Sequence, residues 1–355
     1  MSNKRDVLLT IVGLVAMFGF ACFAQLEMDS YVRRITNLCL IYAIIGLSMN
    51  ITNGFAGQFS LGQAGFMAVG AYVVGIFTVP VELRDNVFYA VPMHPAIADI
   101  QLPLWLALIL GGLLSALIAF LIGTPVLRLR GDYLAIATLG FSEIIRIIIT
   151  NAQSITNGAL GIKDIPTIND VRLIFLITAV VFVFVTCLIN SSYGRAFKAI
   201  REDEIAAEAM GINLFRHKCL AFMISAFFAG IGGGLYATLL GTVDPKNFLF
   251  TLTYNFLLII VLGGMGSITG SMLGSIIVTA GLEYLRIFDE PLELFGTAIP
   301  LFRPGFRMVM FSLLLMACVL FWRKGIMGTE EFTWQKFIDF LKNPFKRFKQ
   351  KGAKL

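Results

Sequence analysis

Ten largely apolar stretches follow one another along this chain, near residues 7–26, 35–51, 62–79, 102–122, 132–150, 172–190, 219–240, 250–265, 271–288 and 306–322. A bilayer core about 30 Å thick is crossed by about 20 apolar residues in helical form. Lipid offers the backbone no hydrogen-bonding partner, so a chain entering it must satisfy its own N–H and C=O groups, and a helix does so. The pattern predicts an all-α polytopic integral membrane protein with about ten transmembrane helices, interrupted by broken or re-entrant Gly-rich segments. Apolar residues make up 57% of the 355 and charged residues 14%, against about 45–50% and about 25% in soluble domains. That excludes a soluble enzyme, which would lack a polar skin, and a disordered chain, which would be poorer in apolar residues.

The formal net charge of +6 would suggest nucleic acid if it formed a basic face. It does not. Residues 323–355 carry nine Lys/Arg against three Asp/Glu, so residues 1–322 are neutral. Nucleic acid is therefore not an expected partner. The tail sets Trp334, Phe337, Ile338, Leu341, Phe345 and Phe348 among lysines, the composition of an amphipathic cytoplasmic segment lying on anionic membrane lipid. This divides the chain into a transmembrane body, residues 1–322, and a tail, 323–355. Counting basic residues on alternate sides of the spans gives eighteen with the N-terminus, the 123–131 and 191–218 loops and the tail, and eight on the other side. The positive-inside bias then places both termini in the cytoplasm. The first stretch ends at Cys22, Phe23 and Ala24, faintly like a cleavage site, but it exceeds a signal-peptide core and reads as a retained helix.

Two Gly-rich segments break the helical pattern, Asn53 to Gly65 and Gly263 to Gly270. Irregular backbone at membrane depth survives only inside protein or beside a wet cavity. Two readings are open for the first. It lines a translocation path, with Gly54, Gly57, Gln58, Ser60 and Gln63 and the freed backbone groups meeting a polar solute, or it is a tight turn between packed helices. In the second, Gly266, Gly270 and Gly274 recur every four residues, the spacing of a helix-contact face, and packing is the expected role.

Glu143 and Arg146 stand three apart in the fifth stretch, on one helix face, where they can neutralise each other. Ionisable groups at membrane depth mark pathways or bundle interiors. The pair is a candidate for the translocation path, with a structural ion pair as the alternative.

Between the sixth and seventh stretches lies a 28-residue segment, 191–218, where the other inner loops have about ten residues. Ser191 or Ser192 suits a helix cap, residues 195–210 are mostly good helix formers, and Gly211 is a natural stop. One helix over 195–210 is expected, with Ala196, Ile200, Ala207 and Met210 on a shared face. That face suits docking to another protein, with Glu202, Asp203, Glu204 and Glu208 meeting basic groups. The remaining chemistry is sparse. Five cysteines lie in or beside apolar stretches without metal or disulfide spacing, and the histidines are His94 and His217. Neither Gly-rich segment is followed by the lysine of a phosphate loop. No catalytic set, metal site or cofactor is expected, and an enzyme is excluded.

At this loop the sequence resembles the larger permease subunits of branched-chain amino acid ATP-binding cassette importers. Matching blocks are Gly54 to Phe66 with Gly70-Ala71-Tyr72, Arg128 to Phe141 running into Glu143 and Arg146, Thr156-Asn157-Gly158 with Gly161-Ile162, Gly194 to Asn213 with Lys218 and Ala221 to Ala226, and Gly263 to Gly270. The resemblance covers about residues 35–322. It implies that an extracytoplasmic solute-binding protein delivers an amino acid, and that this chain and a second, shorter permease form the path. Two ATP-binding cassette subunits bind the ATP and dock on the 195–211 region. Arg195, Arg201, Glu202, Ala206, Ala207, Glu208 and Gly211 are the implied coupling residues. Asn157 and Ala159 depart from the Gly or Thr expected in the outer loop. The plasma membrane of a bacterium is the implied location. A urea or short-amide permease of the same family stays open, and an ion-coupled transporter would have Glu143 as its single mid-membrane carboxylate.

Overall fold

The computed structural model describes residues 4–129, 131–285, 293–294, 297–298, 306–321, 325–328 and 331. Its helices are α1 Lys4–Glu27, α2 Ser30–Asn50, α3 Gln63–Thr78, α4 Val81–Val87, α5 Pro95–Ala98, α6 Leu104–Val126, α7 Asp132–Asn151, α8 Gln153–Thr156, α9 Val171–Asn190, α10 Ser192–Glu202, α11 Glu204–Ala209, α12 Leu214–Leu240, α13 Phe250–Gly263, α14 Ile268–Tyr284 and α15 Phe306–Phe321. A two-residue antiparallel pair joins Glu293–Leu294 to Thr297–Ala298. The aromatic tail from Trp334 onward lies outside the described residues.

Every one of the ten apolar stretches contains a helix. Five described helical segments are long and apolar enough to cross a membrane: Ser30–Phe55, Leu104–Val126, Asp132–Asn151, Val171–Asn190 and Leu214–Leu240. Counting α3 and α4 as one span adds a sixth, bent by 119°. The expected ten spans are thus not all found among the described residues, and part of the difference is local. Both Gly-rich breaks take residues out of the helices beside them, leaving α3 with 16, α13 with 14 and α14 with 17 residues.

The centre of the bundle is α3, α6 and α12, packed through glycine. A Cβ on Gly70 would collide with the Gly230 carbonyl of α12, and one on Gly233 with the Met67 carbonyl of α3. Gly111 of α6 lies against Gly70, and Ser115 donates to the Phe66 carbonyl at 3.0 Å. Small residues let helix backbones approach closely where hydrophobic exclusion supplies little force. The α13–α14 pair uses the same device. Gly270 abuts Gly263 and Gly274 abuts the Ile259 carbonyl, as the four-residue spacing suggested, whereas Gly266 serves a different purpose described below.

The loops gather at two ends. At one, the segments around 79–103, 152–165 and 241–245 are knitted together. His94 N–H bonds the Ser154 carbonyl, and Ile162 pairs with Val243 in both directions. Arg84 is buried there and donates to the carbonyls of Val79, Ile97, Ala98 and Ile100 at 2.6–3.2 Å. Asn157 takes a left-handed conformation at φ 59° and donates to the carbonyls of Val87 and Gly161. Asn suits this position, because it tolerates this backbone region and its amide ties two loops. At the other end lie the first Gly-rich break, the 191–213 segment, the second break and residues 325–328 and 331.

A candidate coupling and translocation site

The first break begins where α2 widens into a π turn, Ile51–Phe55. Past it Gly57 has φ +67°, and the chain stays irregular until α3. Asn53 closes this loop on itself: Ser60 N–H donates to its Oδ1 at 3.1 Å and its Nδ2 donates to the Ser60 carbonyl at 3.2 Å. Neighbouring helices satisfy the rest. Leu61 N–H donates to Thr138 Oγ1 of α7 at 2.9 Å, and Ala64 N–H to Thr253 Oγ1 of α13 at 3.1 Å. Gln63 donates to Ser48. The freed groups expected to meet a solute are thus largely taken up by protein. Gln58 differs, being buried with neither amide oxygen nor nitrogen hydrogen-bonded.

The second break is the turn 264–267, with Gly264 at φ +120° and Gly266 at φ +87°. Asn50, the last residue of α2 and fully buried, joins it to the first. Gly266 N–H donates to Asn50 Oδ1 at 2.9 Å, and Asn50 Nδ2 donates to the Ser267 carbonyl at 2.8 Å and to Ser271 Oγ at 2.7 Å. A strap from beyond α15 crosses the same turn. Ile326 and Met327 donate to the Leu262 and Gly263 carbonyls, and the Glu331 carboxylate accepts from Ile268 and Thr269 at the start of α14. Anions there meet unpaired N–H groups and the favourable end of the helix dipole.

The 191–213 segment is two helices, not one. Asp203 is extended, and its Oδ1 accepts from Ile205 and Ala206 N–H at 2.8 and 3.0 Å, which ends α10 and caps α11. An Asp able to cap competes with helix continuation, so the run of good formers 195–210 is split. The expected shared face divides as well. Ile200 and Ala207 are buried and Ala196 half-buried, while Met210 is 83% exposed; off that face Phe197 is buried and Ile205 76% exposed. Arg195, Glu202, Ala206 and Glu208 are exposed, and Gly211 turns the chain at φ +82° with open space around it.

This bracket stands on two supports. Lys218 of α12 donates to Glu204 of α11 at 2.5 Å. On the other side, Lys198 lies 5.8 Å above the Phe55 ring, and Arg201 Nη1 donates to the Gly54 carbonyl at 2.9 Å. Residues that the sequence kept apart, Gly54 and Gly57 on one side and Arg201 on the other, therefore meet.

Glu143 and Arg146 form an ion pair at 2.7 Å, each side chain 25% exposed. They sit on an outward-facing side of α7 with exposed Ile136, Ile147 and Gly140, where a Cβ would meet nothing. The pair is not gathered with the Gly-rich seam, although Thr138 of the same helix reaches Leu61. Sequence reasoning missed Asn50, Thr138 and Thr253. Asn50 carried a signal, a polar residue ending an apolar stretch just before a glycine break. The two threonines carried none. Among the described residues no group of His, Cys, Asp and Glu is arranged to hold a metal ion.

The family described as "Branched-chain amino acid transport system / permease component" matches residues 31–317. The chain is 37% identical over 311 residues to an Escherichia coli protein named as the high-affinity branched-chain amino acid transport system permease protein LivM, covering 78% of this chain and 69% of that one. It is 27% identical to a probable branched-chain amino acid transport permease protein LivM of Methanocaldococcus jannaschii, covering 80% and 89%. A Bacillus subtilis guanosine ABC transporter permease protein, NupQ, is 23% identical over 75% of this chain and 83% of its own. No solved structure matches. Glycine-broken apolar helices and a match over most of the chain agree: this multi-pass membrane protein belongs to the family of branched-chain amino acid transport permease components.

Proposed function

We propose that this chain is a transmembrane permease subunit of an ATP-binding cassette importer, carrying branched-chain amino acids across the inner membrane. The observation that carries the reading is the α10–α11 bracket. It presents Ile205, Ala206, Glu208 and Met210 outward from one end of the bundle while its other face is held to the Gly-rich seam and to α12. Exposed apolar knobs ringed by carboxylates suit a protein partner, and separate ATPase subunits fit that place. ATP is bound by those partners, and this chain needs no cofactor.

Each of the ten apolar stretches holds a helix, and basic residues concentrate on alternate connections. That pattern supports ten crossings with shortened helices around the breaks, with both termini and the bracket in the cytoplasm. The opposite end, stiffened by Arg84 and Asn157, would receive a solute-binding protein. Gln58, with an unmet amide, is the strongest path residue of the first break, with Gly54, Gly57, Ser60 and Gln63 shaping its loop. Glu143 and Arg146 cannot face lipid cheaply, so their side of α7, notched at Gly140, faces a second, shorter permease across the path.

The test is uptake of labelled leucine by liposomes holding this chain, its sister permease and two ATPase subunits, with the binding protein outside. ATP-dependent uptake is expected. Uptake of guanosine and not leucine would assign the substrate to the nucleoside permeases of the same family. Leucine uptake by this chain alone, without ATP, would overturn the reading in favour of a secondary transporter.

A further inference from the structure

We infer that Arg201 is the positioning residue through which movement of the bracket reaches both Gly-rich breaks; this rests on the bracket being the ATPase-docking element. Several contacts converge on its side chain. Nη1 donates to the Gly54 carbonyl at 2.9 Å, a backbone group in the π turn that ends α2. A Cβ on Gly57 would stand 2.9 Å from Arg201 Cγ, and one on Gly266 would stand 2.8 Å from Nη1. Glycines in both breaks thus leave room for this one residue. The opposite edge of the guanidinium is held by Glu202, at 3.1 Å to Nε and 2.5 Å to Nη2. Glu202, its neighbour on the same helix, orients the planar fork, which cannot leave the seam without breaking its charge-assisted bond to the Gly54 carbonyl.

The seam itself transmits. Gly54 abuts Gly266, and Asn50 binds the Gly266 and Ser267 backbone. A shift of α10 therefore acts on the end of α2 and the start of α14 together. Both points lie where glycine backbone bends at low cost. Lys198 adds a second, weaker contact one turn earlier, over Phe55. A contact of this kind couples two sites only if it differs between two states. The bond from Arg201 to the Gly54 carbonyl joins α10 to the end of α2, so a displacement of either element relative to the other changes it.

The experiment uses the complete complex in liposomes with its binding protein, measuring leucine uptake and ATP hydrolysis together for wild type, Arg201→Ala, Arg201→Lys and Glu202→Gln. Assembly is read by size-exclusion chromatography in detergent. Arg201→Ala is expected to assemble and to hydrolyse ATP near the wild-type rate, while uptake falls about tenfold, equivalent to about 1.4 kcal/mol of lost coupling. ATP consumed per leucine rises accordingly. Arg201→Lys keeps stem and charge but not the fork, and falls between. Glu202→Gln gives a smaller rise. An unchanged ratio of ATP to leucine in Arg201→Ala overturns the inference, and Arg201→Lys is the deciding variant if the alanine complex does not assemble. A wild-type complex without ATP-dependent uptake overturns the parent reading, a result distinct from either.

Discussion

Asn50 at the end of α2 holds Gly266 in the turn before α14, its Oδ1 accepting the Gly266 N–H at 2.9 Å while its Nδ2 donates to the next residue's carbonyl. One buried amide thereby serves two backbone groups more than 200 residues away in sequence. Asn50→Leu orphans the buried Gly266 N–H, while the Ser267 carbonyl keeps the Ser271 N–H and hydroxyl as donors. An orphaned buried group costs about 1–3 kcal/mol, so a fall in melting temperature in detergent is expected. A wild-type melting temperature would show that the seam is not held by this residue.

The ion pair on α7 separates structure from transport. Glu143→Gln strands Arg146 in a membrane helix, where an unpaired charge costs about 2.5–3.5 kcal/mol. Lower yield is expected. The double variant Glu143→Gln, Arg146→Gln removes both charges and should recover the yield. Uptake should stay low in the double variant if the pair lines the path, and recover with yield if the pair only locks helices. Expression level and leucine uptake, measured together, decide between them.

On the bracket, Glu208→Lys changes an exposed side chain, and Gly211→Leu strains an exposed turn at φ +82°. A side chain at such a φ costs about 1–3 kcal/mol, and neither variant should unfold the bundle. Both should lose co-purifying ATPase subunits and leucine uptake. Full association of the ATPases with both variants would remove this surface from the docking site.

At the opposite end, Arg84 is the buried hub for four carbonyls. Arg84→Ala leaves them without their shared donor, and Arg84→Lys, a point donor, cannot serve all four. Hydrogen bonds to a charged group contribute about 1.5–3 kcal/mol each, so the segment 79–100 should open to protease from outside. Limited proteolysis of right-side-out vesicles reads this, with cleavage in the variants and protection in the wild type. Equal protection would mean that the loops hold without it.

Much was legible in the residues. Each apolar stretch became a helix because the hydrophobic pattern is local and the backbone must bond internally. The two glycine segments broke their helices where expected, and Gly270 and Gly274 took the packing role their spacing suggested. The single helix over 195–210 failed on one residue: Asp203 has ordinary helix-neighbour composition around it, and its choice of capping over continuing depends on where α11 must lie to reach Lys218. The number of crossings was harder to read than the number of apolar stretches, since a break shortens two helices at once.

By itself, the sequence determined that the chain is a helical membrane protein, where its helices fall, and which segments interrupt them, because all of these follow from local pattern. Its match over most of its length determined the family. The tertiary structure decided what the interruptions are for. Only folding brings Asn50 to Gly266, Thr138 and Thr253 to the freed amides of the first break, and Arg201 to Gly54. These are long-range hydrogen bonds whose partners carry no local signature, and the burial that makes them count exists only once the helices are packed.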